Sequence, residues 1–405
     1  MNNEVRAADT RQTVTRRDLV ILVALWIASR LLLTGFGTAA LTWLPSLSPE
    51  DGYTIVHLRD GGAALDMWYR WDAGFYTSIA TYGYTWQNED RPADDMAFMP
   101  LYPLLTRAVS GLTADGCALS PYWSTCTTLG GLLVSNAALL GALVCLFWLT
   151  AARHDKPTTW RAALLLMVSP IGIFLSGVYT ESLFLLLSLL VFVCLERRQF
   201  AFAVIAAIAA SLTRSVGIAL VGALLWHVWA TRPDRRIDVK TLLRFSLALL
   251  PGVAFAVYIF GMGISVGDPL AYFNTYELTW NRAAGTPVEA FTAYFSGQRV
   301  SWYGWTLSWL DLILTLFYLA LPIGIIIRER GARRGDGLYA LGALVIPITS
   351  GTLVGMPRFG AVLFPFYIVL ARWADRPWRM LLVYGLSAAL AALFALRFVT
   401  GRWIA

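Results

Sequence analysis

Charged side chains are scarce in this chain, and their scarcity argues against a soluble protein. Only 14% of the 405 residues are charged, whereas 58% are apolar. A soluble domain usually carries about 25% charged residues. Length alone would suggest two or three soluble domains. Because apolar runs recur along nearly the whole sequence, we instead predict one all-α, polytopic membrane protein.

Lysine and histidine are scarcer still. The chain has two lysines, Lys156 and Lys240, against thirty arginines. Its three histidines are far apart and lack the spacing typical of metal ligands. Neither a Walker loop nor a dinucleotide-binding fingerprint occurs in the sequence. The sequence therefore predicts no metal ligands, no nucleotide site and no cofactor.

The basic residues form short clusters between apolar runs. Despite a net charge of +7, this is the positive-inside pattern of membrane proteins and not a basic face for nucleic acid. We therefore expect membrane lipids as partners and no nucleic acid. The clusters assigned to the cytoplasmic side are Arg11/Arg16/Arg17, Arg153/Lys156/Arg161, Arg197/Arg198, Arg232/Arg235/Arg236/Lys240, Arg328/Arg330/Arg333/Arg334 and Arg372/Arg376/Arg379.

Eleven apolar runs can serve as membrane spans. A span needs about 20 apolar residues, so the shorter runs must be tilted, broken or shielded by neighbours. With every basic cluster inside, eleven crossings alternate consistently, with the N-terminus inside and the C-terminus outside. We interpret the first run as a transmembrane helix, with a cleaved signal peptide as the alternative. The runs are 19–43, 127–151, 160–178, 182–195, 200–213, 215–230, 243–264, 307–327, 338–355, 358–372 and 379–399.

This topology divides the chain into a cytoplasmic tail, residues 1–18, and a single transmembrane domain, residues 19–405. It assigns two long connections to the outer side, about 44–126 and 265–306, besides short outer turns. The first connection is acidic up to residue 98. It also holds Cys117 and Cys126, which can form a disulfide outside the cytoplasm or remain free thiols.

The first candidate for chemistry is the segment 70–76, with the sequence RWDAGFY. Tyr69, Tyr76 and Ile79 can line one apolar helical face, which predicts a helix lying along the membrane surface. Asp72 would then lie at the interface, beside an arginine and two aromatic residues. There it can act as a general base in a lipid-facing cleft. The alternative is a solvated aspartate on a surface helix.

Two prolines three residues apart, Pro100 and Pro103, follow the acidic stretch. Proline interrupts helices, so this pair predicts a helix start that aims the chain back at the membrane. We expect the segment 97–105 to shape the cleft and not to carry chemistry itself.

Glu181 is a carboxylate between two apolar runs. Burying its charge at such depth is expensive, which makes it a candidate for function. It can equally cap the helix that begins near Ser182, because acidic residues favour helix N-termini. The sequence leaves both interpretations open.

Arg214 and Arg358 are single arginines at the predicted outer ends of short spans. The positive-inside bias disfavours arginine there, so each needs a reason. An anionic lipid phosphate supplies one, because guanidinium binds phosphate oxygens in a fork. The alternative is that both side chains extend to the lipid headgroups.

Taken together, these motifs resemble the PIG-V family of mannosyltransferases. The likeness runs in order from about residue 70 to 366, most of the chain. A mild departure is Met99, where the family often has a second phenylalanine after Phe98. The segments that carry the resemblance are Arg70-Trp71-Asp72, Gly83-Tyr84, 97–103, Ser169-Pro170, 179–184, 213–217, 356–359 and Phe364-Pro365.

The resemblance implies a GT-C-like fold of about eleven transmembrane helices, whose first outer loop carries juxtamembrane helices. It implies an inverting transfer of mannose from a polyprenyl-phosphate donor, with Asp72 at the position of the family's catalytic aspartate. Arg214 and Arg358 would then stabilise the leaving phosphate, and Glu181 would orient a substrate. The remaining residues assigned to substrate binding are Arg70, Trp71 and Tyr76.

Two other functions stay open at this point. A flippase for a lipid-linked sugar would share the apolar groove and the arginines without needing a base, although no related halves occur in the sequence. A non-catalytic subunit that recognises the acceptor is the second. The acceptor that supplies the hydroxyl is a glycan, a lipid or a protein. We expect a multi-pass protein of a bacterial plasma membrane with its active site facing outside.

Overall fold

The computed structural model describes residues 13–44, 62–86, 95–111, 125–232, 237–280, 285–295 and 309–402. Within these residues the chain is helical and contains no strand. The helices are α1 Arg16–Trp43, α2 Gly62–Asp66, α3 Asp72–Tyr82, α4 Leu101–Val109, α5 Thr125–Ala151, α6 Lys156–Met167, α7 Gly172–Ser176, α8 Glu181–Glu196, α9 Phe200–Ser211, α10 Leu220–Thr231, α11 Val239–Ser265, α12 Ala271–Trp280, α13 Pro287–Phe295, α14 Trp309–Arg328, α15 Arg334–Ile348, α16 Met356–Ala361, α17 Phe364–Trp373 and α18 Pro377–Val399.

Five of these helices are long and apolar enough to cross a membrane: α1, α5, α11, α14 and α18. Their most apolar windows have a mean hydropathy of 1.9 to 2.4. The chain is therefore an all-α integral membrane protein. The predicted number of eleven crossings stays a prediction, because the other apolar helices of the described chain are shorter.

The sequence 200–231 forms two short helices, as predicted. The first, α9, ends at Ser211, and Arg214 then adopts an extended conformation with φ −148° and ψ 142°. A 3-10 turn, Ser215–Ala219, leads into α10. At Gly217 an added Cβ would lie 2.6 Å from the backbone of Ala210, so only glycine allows the chain to pack back this closely.

Two predicted spans are wrong as continuous helices. The run 160–178 is divided into α6 and α7 by a break that contains Pro170. The run 358–372 is divided into α16 and α17, and Pro365 lies in the first turn of α17. Proline lacks a backbone N–H and therefore ends or starts a helix at both places.

The predicted surface helix begins later than expected. Helix α3 starts at Asp72, so Tyr69 lies before it and not on its face. Tyr69 is nevertheless buried, and its hydroxyl lies 3.0 Å from Thr77 Oγ1. The residue before the helix, Trp71, has φ 55°, a conformation that is uncommon for a residue other than glycine.

The proline-containing segment begins a helix, as predicted. Pro100 caps α4, and the backbone N–H of Leu101 donates to the carbonyl oxygen of Leu212 at 2.9 Å. Helix α4 also joins α5, because the buried hydroxyl of Tyr102 lies 2.8 Å from Ser135 Oγ. These contacts fix α4, in the connection between α1 and α5, against the helices that follow it.

Ion pairs join several helices at the end of the bundle that carries the basic clusters. Arg153 contacts Asp336 at 2.7 Å and Glu196 at 3.4 Å, and Lys156 contacts Asp18 at 2.8 Å. Glu196 is the last residue of α8, whereas Glu181 is its first. At 1.5 Å per residue these two ends are about 22 Å apart. Glu181 and the ion-paired Arg153 therefore lie at opposite ends of the bundle.

An arginine lies in the middle of the first membrane helix. Arg30 donates from Nη2 to the carbonyl oxygen of Met167 at 2.8 Å, and from Nη1 to Ser176 Oγ at 2.7 Å and to the carbonyl oxygen of Gly172 at 3.4 Å. The break at Pro170 leaves such carbonyl groups without helical donors. Arg30 thus supplies the hydrogen bonds that a broken helix needs inside a membrane.

Replacing Arg30 with methionine should therefore destabilise the protein by about 2–4 kcal/mol, because several acceptors lose a charged donor. The measurement is the thermal midpoint of the purified chain in detergent. Arg30→Lys should recover part of the loss. Leu31→Met, a change at the neighbouring exposed position, is the matched control. An Arg30→Met protein that melts with the wild type would contradict this assignment.

Candidate active site

Four charged residues from distant parts of the sequence meet at the end of the bundle opposite the basic clusters. Asp72 is the first residue of α3, and Glu181 is the first residue of α8. Arg214 lies in the extended link after α9, and Arg358 lies in the short helix α16. Each residue stands where a helix starts or breaks, which leaves its side chain free to turn toward the others. We call these four residues the charged cluster.

Arg358 bridges the two carboxylates of the charged cluster. Its Nη1 donates to Asp72 Oδ2 at 3.0 Å, and its Nε lies 3.1 Å from Glu181 Oε1. The second contact is an ion pair without the direction of a hydrogen bond, because Nε has no aligned acceptor. One guanidinium thus holds the start of α3 next to the start of α8.

Arg214 engages the same carboxylate from the other side. Its Nη1 donates to Glu181 Oε1 at 2.5 Å and to Thr180 Oγ1 at 2.9 Å. Both arginines therefore contact the same oxygen, Glu181 Oε1. The other oxygen, Oε2, is buried without a hydrogen bond in the described part of the chain. Two arginines and two carboxylates give a cluster with no net charge.

The charged cluster is largely withdrawn from the surface. The Glu181 side chain is fully buried, and those of Arg214, Arg358 and Asp72 are 8%, 13% and 14% exposed. The prediction that the arginines extend to the lipid headgroups does not fit these values. Asp72 and the two arginines keep a small exposed fraction, so a ligand can reach them without unfolding the site.

Glu181 has the helix-start position that the capping interpretation requires, while its functional role stays a prediction. It occupies the first turn of α8, where a carboxylate is favoured by the helix dipole. It also binds two arginines across the bundle, which simple capping does not require. The residue before it, Thr180, caps the helix through its backbone and not through its side chain.

Aromatic rings surround the two guanidinium groups. Arg358 lies 5.4 Å from the centre of the Phe174 ring and 5.7 Å from that of Tyr179, and Arg214 lies 5.1 Å from that of Phe359. Cations over ring faces gain electrostatic stabilisation where water is scarce. The sequence did not identify Phe174 and Phe359 as part of the site. Tyr179 and Phe359 do lie in segments that carry the family resemblance.

Tyr76 lies on the buried face of α3, next to the charged cluster. Its hydroxyl is 3.4 Å from Thr180 Oγ1, and its ring contacts Phe98 and Tyr102 edge to face. Burial raises the pKa of Tyr76 above its usual range, and the negative charges of Asp72 and Glu181 raise it further. Tyr76 therefore stays protonated and can donate a hydrogen bond, but it cannot serve as a base.

Arg70 lies apart from the charged cluster in its contacts. Its Nη2 donates to Asp66 Oδ2 at 2.8 Å, and its Nη1 donates to the carbonyl oxygens of Asp66 and Tyr69. Its own carbonyl oxygen accepts from the Tyr179 hydroxyl at 2.7 Å. These bonds hold the loop before Asp72. Substrate binding by Arg70 and Trp71 stays a prediction.

The two arginines of the charged cluster retain hydrogen-bond donors. Within the described residues, Nη2 of Arg214 and Nη2 of Arg358 donate to no protein acceptor. Both groups lie beside Glu181, and Arg358 also holds Asp72. A planar guanidinium with a free donor suits a phosphate oxygen. The arrangement can thus place a phosphate next to a carboxylate.

Among the described residues, no group of three or more histidine, cysteine, aspartate or glutamate side chains could hold a metal ion. The sequence left open whether Cys117 and Cys126 form a disulfide, and Cys117 lies outside the described residues. Cys145 and Cys194, which the sequence places in spans, are free thiols.

Known proteins similar to this chain include curated mannosyltransferases. It is 33% identical to GPI alpha-1,6-mannosyltransferase 2 of Rattus norvegicus over 58% of its own length and 44% of that protein. The human protein of the same name is 28% identical over 52% of this chain and 40% of its own length. GPI mannosyltransferase 2 of Chaetomium globosum is 36% identical over 29% of this chain and 25% of its own. The chain thus spans less than half the length of the curated relatives it matches.

Among solved structures, the oligosaccharyltransferase of Archaeoglobus fulgidus in the apo form is similar, with a TM-score of 0.43 and 13% identity. The similarity covers 92% of this chain and 56% of that one. At these values it says nothing about the reaction.

The family comparison covers most of the charged cluster. Residues 10–313 match the family described as Mannosyltransferase (PIG-V), about three quarters of the sequence. The matched stretch includes Asp72, Glu181 and Arg214, whereas Arg358 lies beyond it. The resemblance inferred from the sequence motifs is confirmed, and the chain belongs to the PIG-V mannosyltransferase family.

Proposed function

We propose that this chain transfers a mannosyl residue from a polyprenyl-phosphate donor to an acceptor hydroxyl. Membership of the PIG-V family and the curated relatives named as mannosyltransferases support the sugar and the reaction class. The observation that carries the proposal is the charged cluster. It sets a carboxylate beside two arginines that keep free donors, which is the minimum needed to activate a hydroxyl and hold a phosphate.

In the proposed reaction, the acceptor oxygen attacks the anomeric carbon of the donor while Asp72 takes the hydroxyl proton. A carbon–oxygen bond forms to the acceptor as the bond between the anomeric carbon and the phosphate oxygen breaks. The electron pair of that bond leaves with the polyprenyl phosphate, which gains negative charge. Attack from the face opposite the phosphate inverts the configuration.

Arg214 and Arg358 stabilise this developing charge. Fixed cationic donors in a site with little water stabilise an oxyanion more strongly than water does, because they need no reorganisation during the reaction. Glu181 holds both guanidinium groups in place. Its free Oε2 can accept a hydrogen bond from a hydroxyl group of the sugar or the acceptor. Tyr76, which stays protonated, can donate to a sugar oxygen, and Arg70 and Trp71 would border the acceptor side.

The ion pair between Asp72 and Arg358 implies an exchange when the donor binds. While Arg358 Nη1 donates to Asp72 Oδ2, that oxygen is not available to an acceptor hydroxyl. The donor phosphate competes with Asp72 for Arg358, so its binding releases the carboxylate. The base would therefore become available only after the donor is in place.

We infer that the charged cluster faces the non-cytoplasmic side. The support is its position about 22 Å along α8 from the ion pairs of the basic clusters. Basic clusters mark the cytoplasmic side of membrane proteins. The curated relatives are named as GPI mannosyltransferases. For this chain we propose the broader class of a glycan-bearing lipid at the same side of the membrane.

The first test replaces the proposed base. Asp72→Asn should lower the transfer of radiolabelled mannose from a polyprenyl-phosphate donor about a hundredfold or more, because the acceptor proton has no destination. The assay uses the purified chain with membrane lipids as the acceptor source. Binding of the donor should persist or tighten, because the amide no longer competes for Arg358.

The matched control is Glu277→Gln, which removes an exposed carboxylate of α12 that has no ion pair among the described residues. It should retain most of the transfer. Near-normal transfer by Asp72→Asn would defeat the assignment of the base. A chain that moves a lipid-linked sugar across vesicles and transfers none would instead be a flippase.

The second test replaces the arginines. Arg214→Gln and Arg358→Gln should each raise the KM for the donor about ten- to a hundredfold, because a charge-assisted contact to phosphate is lost. Lysine at either position should recover only part of the affinity, because it lacks the planar fork. The measurement is initial transfer rate against donor concentration.

The control for charge alone is Arg107→Gln. Arg107 lies on α4, and among the described residues its side chain donates to the carbonyl oxygens of Ala80 and Thr81, at 3.4 and 3.5 Å. Its loss should leave the donor KM unchanged. If all three substitutions weaken the donor equally, the effect is a general attraction between the protein and an anionic lipid, and the phosphate-binding role is wrong.

A further inference from the structure

A large apolar groove lies on the lipid-facing side of the bundle, away from the charged cluster. Its volume is about 1070 Å³, and its walls come from α14, α17 and α18, with Leu165 and Pro170 at its floor. No residue of the charged cluster lines it. The apolar side chains that define its walls include Leu314, Phe317, Leu321, Leu370, Leu386 and Leu390.

The groove is apolar along its length and basic at one end only. Its lining includes Arg328, Arg372 and Arg379 at the end that carries the basic clusters, together with Trp373. Along α14 the lining extends from Ile313 to Arg328, a rise of about 22 Å. One half of a hydrocarbon core is about 15 Å thick. The groove therefore accommodates a chain as long as one leaflet, with room for tilt.

The arginines at the basic end of the groove differ in whether they form ion pairs with carboxylates of the protein. Arg372 pairs with Glu329 at 2.7 Å, and Arg379 pairs with Asp375 at 2.8 Å. Arg328 is exposed and has no ion pair or hydrogen bond among the described residues. The groove thus ends at a cation whose charge is not neutralised by a protein carboxylate.

The two connections beside the basic end of the groove are also rich in arginine. The connections 328–334 and 372–379, which flank the basic end, carry seven arginines and two carboxylates. Anionic lipids are attracted to such clusters, and guanidinium binds phosphate oxygens in a fork. Between apolar helices in a membrane there is no hydrophobic preference for another helix over a lipid chain. The selective part of this groove is therefore its charged end.

We infer that the groove binds an anionic phospholipid of the adjacent leaflet. The phosphate would lie at Arg328 and Arg379, and Trp373 would lie at the level of the headgroup, where tryptophan is enriched. The acyl chains would lie along Phe317 and Leu386 toward the middle of the bilayer. The lipid would then fill the space between α14 and α18, and α14 packs directly on α16, which carries Arg358.

The contact between α14 and α16 is close. Tyr318 packs against Gly360, where an added Cβ would lie 2.1 Å from its ring, and Tyr318 also stacks on Phe366 at 5.3 Å. Tyr318 and Phe366 both line the groove. A lipid seated there would hold these rings against the helix that positions Arg358.

The test is native mass spectrometry of the full chain, offered equal amounts of phosphatidylglycerol and phosphatidylcholine with identical acyl chains. The wild type should retain phosphatidylglycerol preferentially. Arg328→Gln combined with Arg379→Gln should lower that preference by about fivefold for each arginine removed. Leu386→Trp should fill the groove and reduce retention of both lipids.

The matched control is Arg330→Gln, which removes an arginine of the same connection that does not line the groove. Equal retention of the two lipids by the wild type would overturn the inference. So would an effect of Arg330→Gln as large as that of Arg328→Gln, which would show a diffuse basic surface. Displacement of phosphatidylglycerol from the groove by added polyprenyl phosphate would assign the groove to a prenyl chain and would equally overturn it.

Discussion

The fold is organised around an ion-pair arrangement that joins chain segments hundreds of residues apart. Arg358 reaches Asp72 across 286 positions of sequence, and Glu181 lies between them in space, bound to both Arg358 and Arg214. An unpaired buried charge costs about 3–5 kcal/mol, so each member holds the others in place. Because two acids meet two arginines, the cluster can be buried without net charge.

The helix breaks follow from this arrangement. A side chain at the start of a helix or in an extended link can turn toward a common point, whereas one in mid-helix is fixed to its own face. Pro365 starts α17 after α16, and Gly217 lets the link after Arg214 pack against Ala210. Local features that look like interruptions of membrane spans are thus what brings the charges together.

Much of this could be predicted from the sequence. Scarce charge and recurrent apolar runs indicated an all-helical membrane protein, and basic clusters placed Glu181, Arg214 and Arg358 at one end of it. Charge placement constrains topology because moving arginine across a bilayer is expensive. That argument uses only the order of residues, so it needs no tertiary contacts.

Other features could not be predicted, for physical reasons. The run 160–178 is apolar apart from Arg161, Ser169 and Ser176, and its hydropathy does not record the hydrogen bonds that make the break at Pro170 tolerable. Those bonds come from Arg30, about 140 residues earlier in the chain. Likewise, the pairing of Asp72 with Arg358 depends on helix packing, so the sequence suggested two separate roles where the structure shows a direct contact.

Arginines pair with carboxylates at both ends of the bundle, but the two arrangements leave different numbers of arginine nitrogens free. Arg153 meets two carboxylates, one at each terminal nitrogen, so its charge is fully occupied by Asp336 and Glu196. In the charged cluster, Arg214 and Arg358 share two carboxylates and each keeps a terminal nitrogen free of described acceptors. An arginine saturated by protein can only join helices, because an incoming anion would have to displace both partners.

An arginine with a free donor can add an anion beside its protein partner, so it can bind a ligand while it still holds the site together. For Arg358 the exchange goes one step further, because the partner it would release is the carboxylate proposed as the base. The ion pair between Asp72 and Arg358 would then stabilise the unoccupied site and would break when the donor phosphate binds. Under the proposed mechanism, the 3.0 Å contact between Arg358 and Asp72 would link fold stability, donor binding and the onset of catalysis.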